Sequence, residues 1–362
     1  MSRRNCHCAK VTAQLFRHNC FGANVSGAKE GASSALYTIK KLWGGSVYCK
    51  QTGSLWEHFL IKQWKGLSHF GWKSRSKMAS TSAESSANTF VGVSLSSPFD
   101  YAAARGYTAN IQGPAIWITT AYVVTIFGIQ WYMKDRKPMQ LTLSLRLWNL
   151  WLALFSIAGC LVTSYGLFRE IGAYGLVSTY THSRDFFEGF TGLWTWWFCM
   201  SKFAELGDTY FVVLRKKPLM FLHWYHHVAT LNYGLMSYVD NTAFNTWIVW
   251  LNFSVHAVMY TYYFLAACRI RLPAWFAQCL TTSQITQFLI TLAILAHVGL
   301  RLLVGSHVDT TPVSYVYCLL MEISYVVLFG NFFYHSYIAG GGKKFQKEKQ
   351  LKQQNGTVTK SE

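Results

Sequence analysis

Charged residues are scarce in this sequence. Asp, Glu, Lys and Arg make up 13% of the 362 residues, about half the share that is usual in a soluble domain. The charges are clustered, and long apolar runs separate the clusters, which is typical of a protein that crosses a membrane several times. The formal net charge of +18 could indicate a nucleic-acid partner in a soluble protein. Here many basic residues lie in short loops beside apolar runs, so we expect no nucleic-acid partner.

The cysteines lack a pairing pattern. The sequence holds nine cysteines and no CxxC motif, and the CxC of Cys6 and Cys8 stands alone. Several others lie inside apolar runs, where a thiol packs as a small apolar group. We therefore predict neither a disulfide framework nor a zinc framework.

Seven apolar runs predict an all-α polytopic membrane protein with seven transmembrane helices. At 1.5 Å per residue, each run can cross roughly 30 Å of hydrocarbon. The runs are residues 114–133, 147–168, 190–214, 219–239, 246–268, 275–303 and 313–339.

The two ends of the chain differ in composition from the domain at 114–340. Residues 1–77 hold 13 Lys and Arg against two acids, and we predict an extension that is disordered or absent from the mature protein, with Met78 as an alternative start. Residues 78–113 are predicted to form a polar lead-in, and residues 341–362 a basic tail.

Basic loops alternate with loops that are poor in Lys and Arg, and this alternation predicts the orientation. By the positive-inside rule, the basic loops and the C-terminus are cytosolic. The basic residues after the first, third, fifth and seventh runs are Lys134, Arg136 and Lys137; Arg215, Lys216 and Lys217; Arg269 and Arg271; and Lys343, Lys344, Lys347 and Lys349.

Polar and ionisable groups occur inside four of the apolar runs, and such groups mark function by default. Within each run they recur every three or four residues, which puts them on one helical face. The predicted topology places all of them about 6–18 Å from the cytosolic ends of their helices. They are Lys202, Glu205 and Asp208; His223, His226 and His227; Asn252 and His256; and Gln284 and Gln287.

The HxxHH pattern of residues 223–227 also invites a metal interpretation. A histidine-based di-iron enzyme needs several such clusters, and residues 114–362 hold one. A single zinc ion could use His223, His226 and His227 with His256 as the fourth ligand. We favour a site without metal or other cofactor, in which a neutral imidazole acts as base or nucleophile.

Four segments resemble the signature boxes of the very-long-chain fatty acid elongases, which are 3-ketoacyl-CoA synthases of the endoplasmic reticulum membrane. The segments are KFAELGDT (202–209), HWYHH (223–227), NFSVHAVMYTYY (252–263) and TTSQITQ (281–287). The resemblance covers about residues 114–340, and the stretch at 205–227 looks closest to the branch that elongates saturated or monounsaturated chains of medium length.

The resemblance implies a fold and a reaction. Six of the seven helices are expected to form an inverted barrel around a narrow acyl tunnel, open to the cytosol and closed toward the lumen. Acyl-CoA and malonyl-CoA are expected to condense to 3-ketoacyl-CoA, which releases CoA and CO2. The bilayer, the other enzymes of the elongation cycle and a second copy of the chain are the further partners considered.

The resemblance also assigns roles. His226 would take the acyl group, His256 would assist malonyl decarboxylation, and His223 and His227 would orient them. Residues expected beside them are Glu205, Asp208, Asn252, Tyr263, Gln284 and Gln287. Our own candidates for binding the CoA phosphates are Lys202, Arg215, Lys216, Lys217, Arg269 and Arg271.

Two other functions share some of these features. A seven-helix receptor or transporter would explain the span count, but not the polar groups at the cytosolic side of four helices. An iron-dependent lipid desaturase would explain the HxxHH helix, but it requires further histidine clusters.

Overall fold

The structure is a computed structural model that describes residues 89–339. The predicted N-terminal extension, the first part of the lead-in and the basic tail at 341–362 lie outside the described residues. The described part is entirely helical and holds no strand. The prediction of an all-α protein is confirmed for this part.

Ten α-helices form the described part, together with one short 3-10 helix, Asp185–Phe187, and one π-helical turn, Tyr334–Ala339. Four of them, α2, α3, α9 and α10 with the π-helical turn, are long and apolar enough to cross a membrane. The chain is therefore a multi-pass membrane protein. The helices are α1 (Phe90–Leu95), α2 (Tyr101–Tyr132), α3 (Thr142–Tyr174), α4 (Ser178–Thr181), α5 (Gly189–Glu205), α6 (Gly207–Leu214), α7 (Phe221–Val239), α8 (Asn245–Ala267), α9 (Ala274–Leu303) and α10 (Pro312–Phe333).

Helix α2 begins earlier than the sequence predicted. It starts at Tyr101 because the Asp100 side chain caps it, accepting a hydrogen bond from the Ala103 amide at 2.9 Å. Ala104 and Thr108, on the next two turns, are fully buried. Part of the predicted polar lead-in is therefore helix, and Pro114 lies inside it.

The predicted third span is two helices with a break at Leu206. Gly207 follows the break, and a Cβ atom there would lie 2.7 Å from the ring of Trp148. Only glycine fits so close to the indole, so α6 can pack against α3 at this point. The break separates Glu205, at the end of α5, from Asp208, in the first turn of α6.

Small residues let α3 approach α8, and this is the most extensive helix pair in the described part. A Cβ atom on Gly159 would clash with the Phe253 ring. Small side chains at three- and four-residue spacing are the usual means of close packing between membrane helices. The buried small residues of this α3 face are Ala153, Ser156, Gly159 and Thr163, whereas Gly166 lies against Thr191 of α5.

Six helices contact one another in a closed cycle. Helix α3 packs on α8, α8 on α9, α9 on α10, α10 on α7, α7 on α5, and α5 on α3 again. Helix α2 lies against α7 and α6. Helices α5, α7, α8 and α9, which carry all the predicted polar residues except Asp208 on α6, belong to the cycle.

Hydrogen bonds join the loops at the end of the cycle where α7 finishes and α10 starts. Asp240, just after α7, accepts hydrogen bonds of 2.6 Å from the hydroxyls of both Thr311 and Ser314. Asn241 accepts from Tyr101 at 2.6 Å and from Ser183 at 2.7 Å. Polar contacts therefore join the helices and loops at this end of the helix cycle.

Candidate active site

A basic turn leads into the histidine helix. Lys216 has a left-handed backbone (φ 53°), which ends α6. Pro218 follows two residues later and prevents the helix from continuing. Helix α7 then starts at Phe221.

The three histidines of α7 lie together. The rings of His223 and His227 have centroids 4.8 Å apart, and those of His226 and His227 are 5.8 Å apart. His223 Nε2 and His226 Nδ1 are buried and have no hydrogen-bond partner within the described residues. These two nitrogens are therefore free to bind another molecule.

A buried hydrogen-bond network joins α5 to α8. Lys202 Nζ lies 2.7 Å from Glu205 Oε1 and donates a 3.0 Å hydrogen bond to Asn252 Oδ1. Ser201 Oγ also donates to Glu205 Oε1, at 3.1 Å. All four side chains are buried, so the positive and negative charges compensate each other away from water.

This network also determines the tautomer of His256. Because lysine can only donate, Asn252 must point its oxygen at Lys202 and its amide nitrogen at His256 Nε2, 3.3 Å away. His256 Nε2 then accepts, and the ring proton is on Nδ1, which lies 3.9 Å from Glu205 Oε1. A neutral His256 with a fixed proton position is the result.

His226 is held from the other side by α10. Its ring lies 4.7 Å from the ring of Tyr325 and 6.3 Å from that of Phe329. The Tyr325 hydroxyl is 2.8 Å from Thr230 Oγ1 and donates to the His226 carbonyl at 3.3 Å. Aromatic contacts and the backbone bond thus restrict where the imidazole can turn.

Asp208 belongs to a separate hydrogen-bond group. Its two carboxylate oxygens accept from Trp148 Nε1 at 2.6 Å and from the Tyr260 hydroxyl at 2.7 Å. Tyr260 in turn has its ring 5.3 Å from that of His256. Asp208 therefore reaches the histidines only through Tyr260.

The remaining predicted polar residues differ in position. Gln287 is buried and lines a cavity between the helices, with its Oε1 unpartnered within the described residues. Gln284 donates to the sulfur of Met259 at 3.4 Å. Tyr263, predicted beside the thioester, is 42% exposed, and its ring contacts Tyr260 and Tyr262.

The predicted CoA-binding cations differ in burial. Lys202 is 3% exposed and paired with Glu205, so its charge is already neutralised; it belongs to the buried network. Lys216, Lys217, Arg269 and Arg271 are exposed. Lys216 Nζ donates to the carbonyls of Lys134 and Arg136, whereas Arg215 is half-buried.

A cavity lies inside the helix cycle. It extends from the histidine site toward the end where Asp240 bonds Thr311 and Ser314. At the histidine end it is lined by His226, Asn252 and Gln287, and at the other end by Ser237 and Asn245. Five helices contribute to its walls, and apolar and aromatic side chains form most of the wall between the two ends. These are Phe198, Cys199, Tyr233, Ile248, Val249, Leu251, Phe288, Met321 and Tyr325.

His297 stands apart from the site. Its Nδ1 is 2.8 Å from the hydroxyl of Tyr180, in α4. Burial raises the pKa of the Tyr180 phenol, so this hydroxyl stays protonated and available for the hydrogen bond.

Sequence reasoning missed four residues that contact the site or line its cavity. Trp148 and Tyr325 are ordinary in a sequence that is 17% aromatic, and Ser201 is a common residue type. Only the fold shows that these three residues contact the site. Glu322 had a signal, since it is a lone acid in the last apolar run. Within residues 89–339, no three His, Cys, Asp or Glu side chains are grouped as metal ligands.

A paired Lys–Glu network and unpartnered imidazole nitrogens, at one end of a cavity between apolar helices, define the class: a membrane enzyme with a buried polar site. The family follows from comparison with known proteins. A model of the ELO (GNS1/SUR4) family matches residues 108–345. The chain belongs to this family, so the family predicted from the sequence motifs is confirmed.

Curated relatives agree with the family assignment. Long chain fatty acid elongase 1 of Caenorhabditis elegans is 42% identical over 269 residues, which are 74% of this chain and 93% of the relative. Very long chain fatty acid elongase 6 of Drosophila melanogaster is 41% identical over 62% of this chain and 72% of its own length. Human very long chain fatty acid elongase 3 is 37% identical, with 61% and 82% covered. The family and these relatives make fatty acid elongation the function of this chain.

Proposed function

We propose that this chain is a very-long-chain 3-oxoacyl-CoA synthase, which condenses acyl-CoA with malonyl-CoA by way of an acyl group carried on His226. The observation that carries the proposal is the unpartnered Nδ1 of His226, in a cavity that it shares with Asn252 and Gln287. A free, neutral imidazole nitrogen is a nucleophile toward a thioester.

The first half-reaction transfers the acyl group. A ring nitrogen of His226 attacks the thioester carbon, a C–N bond forms and the C–S bond breaks. The CoA sulfur leaves with the proton that the imidazole gives up. The carbonyl oxygen of the acyl group would be bound by Asn252 and Gln287, whose side-chain amide N–H groups can donate hydrogen bonds to it.

The second half-reaction forms the new C–C bond. Malonyl-CoA loses CO2, and the resulting enolate carbon attacks the acyl carbon on His226. The C–N bond breaks, the imidazole regains a proton, and 3-ketoacyl-CoA leaves. His256 is suited to assist, because its Nδ1 proton is fixed by the Asn252 contact at Nε2; His223 and His227 support the His226 ring. The chain's own side chains suffice for these steps, and no cofactor enters the proposal.

The tunnel is proposed from the helix cycle. Seven spans, of which α3, α5, α7, α8, α9 and α10 form an inverted barrel, would enclose the acyl chain. The closed cycle of contacts supports this arrangement, as do the polar contacts of Asp240 with Thr311 and Ser314 at the far end. Along α7, the cavity extends from His226 to Ser237, about 16 Å.

The histidine end would face the cytosol, where the soluble CoA group is available. Arg269, like Lys216, keeps a left-handed backbone (φ 65°), a conformation in which glycine costs least. CoA phosphates are the proposed ligands of Arg215, Lys216, Lys217, Arg269 and Arg271. We place the protein in the endoplasmic reticulum membrane with a cytosolic C-terminus.

Incubation of the purified protein with acyl-CoA and labelled malonyl-CoA tests the proposal. We expect labelled 3-ketoacyl-CoA two carbons longer than the acyl-CoA, with CO2 released in equal amount. Saturated and monounsaturated acyl-CoAs of medium length should be the best substrates. A protein that binds both substrates without releasing CO2 would contradict the proposed reaction, and a best substrate of another class would contradict the proposed branch. Co-purification would test the other elongation enzymes and a second copy as partners.

A further inference from the structure

Glu322 is a carboxyl group on the wall of the acyl cavity. It lies on α10, is 3% exposed and lines the cavity. Its Oε2 is buried and has no hydrogen-bond partner within the described residues. Burying an unsatisfied carboxyl oxygen costs free energy. An unsubstituted acyl chain has no group that could form a hydrogen bond with it.

The other polar side chains of the inner cavity wall have partners. The Tyr233 hydroxyl donates to Asn245 Oδ1 at 2.9 Å. Thr291 Oγ1 donates to the Gln287 carbonyl at 3.0 Å, and Ser237 Oγ to the Gly234 carbonyl at 3.3 Å. Glu322 therefore offers an acceptor to whatever occupies the cavity.

The fold places Glu322 close to the reacting end. It lies one turn before Tyr325, whose ring packs on His226, and three residues of helix span about 4.5 Å. Helix α10 runs antiparallel to α7, because Tyr325 contacts His226 whereas Tyr317 contacts Tyr233 further along. An acyl chain on His226 would pass Glu322 in its first part, before it reaches Ser237 and Asn245.

We propose that Glu322 makes this enzyme a selector of hydroxylated acyl chains, with a chain hydroxyl hydrogen-bonded to the unpartnered Oε2 of its carboxyl group. This inference rests on the proposed condensation in the same cavity. A hydroxyl adds a single heavy atom to the chain, and because it can both donate and accept, it can hydrogen-bond to a carboxyl oxygen.

The test compares matched substrates. Each pair of acyl-CoAs has the same chain length, one member unsubstituted and the other carrying one hydroxyl, and the hydroxyl is moved along the chain in a series. The quantity measured is the ratio of kcat/KM for the two members. Wild-type enzyme should give its highest ratio for hydroxyls in the part of the chain next to the carbonyl end, and lower ratios toward the methyl end.

Three variants locate the effect at Glu322. Glu322→Met, of similar length but apolar, should lower the highest ratio about tenfold while the unsubstituted chain is still elongated. Glu322→Gln keeps an acceptor oxygen and should retain most of the preference. Met321→Leu changes the neighbouring cavity-lining side chain without polarity, and it should leave the ratio unchanged.

The outcomes separate the two levels of the proposal. If wild-type enzyme elongates neither member, the proposed function fails. If it elongates unsubstituted chains but shows no optimum along the hydroxyl series, or if Glu322→Met leaves the ratio unchanged, the selector role is wrong and Glu322 binds only water or the protein. The wild-type series decides the matter even where a variant fails to fold.

Discussion

Lys202 and Glu205 form a buried ion pair one helical turn apart on α5, with Nζ 2.7 Å from Oε1 and both side chains about as buried as the apolar core. Lys202 also fixes the orientation of Asn252, and Asn252 fixes the proton of His256. Through Asn252, the ion pair thus helps to determine which ring nitrogen of His256 carries the proton.

Removing one member of this pair should leave an uncompensated buried charge. We expect Lys202→Met to destabilise the protein by about 3–5 kcal/mol and to abolish elongation. The double variant Lys202→Met/Glu205→Met removes both charges, so it should recover much of the stability and remain inactive. Thermal unfolding in lipid nanodiscs, with activity measured on the same samples, checks both. A Lys202→Met protein as stable as wild type would show that the pair is not buried.

Gly234 gives a way to measure the cavity. It lines the cavity, and a Cβ atom there would meet nothing within 4 Å. Gly234 lies eight residues beyond His226 on α7, about 12 Å deeper. A larger side chain can therefore start into the cavity at this position, so Gly234→Leu should narrow it, and the products should become shorter while short acyl-CoAs are still used.

Gas chromatography of the products from a range of acyl-CoAs checks the effect of Gly234→Leu. Gly128→Leu, on the exposed side of α2, adds the same side chain away from the cavity and should leave product length unchanged. Equal product lengths for wild type and Gly234→Leu would mean that the acyl chain does not occupy this cavity.

Tyr260 carries the link between Asp208 and His256. Tyr260→Phe keeps the ring that contacts His256 but loses the 2.7 Å hydrogen bond to Asp208. The expected stability loss is about 1.5–3 kcal/mol, as for a hydrogen bond to a charged group, together with a lower kcat. Unfolding and steady-state kinetics measure the two effects.

Tyr263→Phe is the matched control for Tyr260→Phe. Tyr263 is exposed and contacts Tyr260 only through the rings, so its hydroxyl should be dispensable for both stability and kcat. A larger loss in Tyr263→Phe than in Tyr260→Phe would contradict this expectation and support the sequence-based prediction that Tyr263 acts beside the thioester.

The approximate positions of most long helices could be predicted from sequence, because a long apolar run in a membrane satisfies its backbone as a helix; the early start of α2 could not, because it depends on the Asp100 cap. The spacing of His223, His226 and His227 also predicted a shared face, and the structure brings these rings together. The break at Leu206 could not be predicted, because it depends on Trp148 packing against Gly207 from another helix.

The details of the site required tertiary contacts. Lys202 looked like a cation for phosphate, and only the fold pairs it with Glu205 and Asn252. Tyr325 is one tyrosine among 21, so nothing in its spacing marked it as the ring that packs on His226. Glu322 could have been found, because a lone carboxyl in an apolar run is an exception in itself.

The central claim is that His226 carries the acyl group. The most direct measurement is mass spectrometry of the purified protein incubated with acyl-CoA alone. We predict free CoA and a mass increase equal to the acyl group on the peptide that contains His226, lost again when malonyl-CoA is added. His226→Ala should show neither adduct nor elongation, whereas His335→Ala, at an exposed histidine, should show both. An active enzyme in which the acyl group never appears on His226, or a His226→Ala variant that still elongates, would contradict the claim.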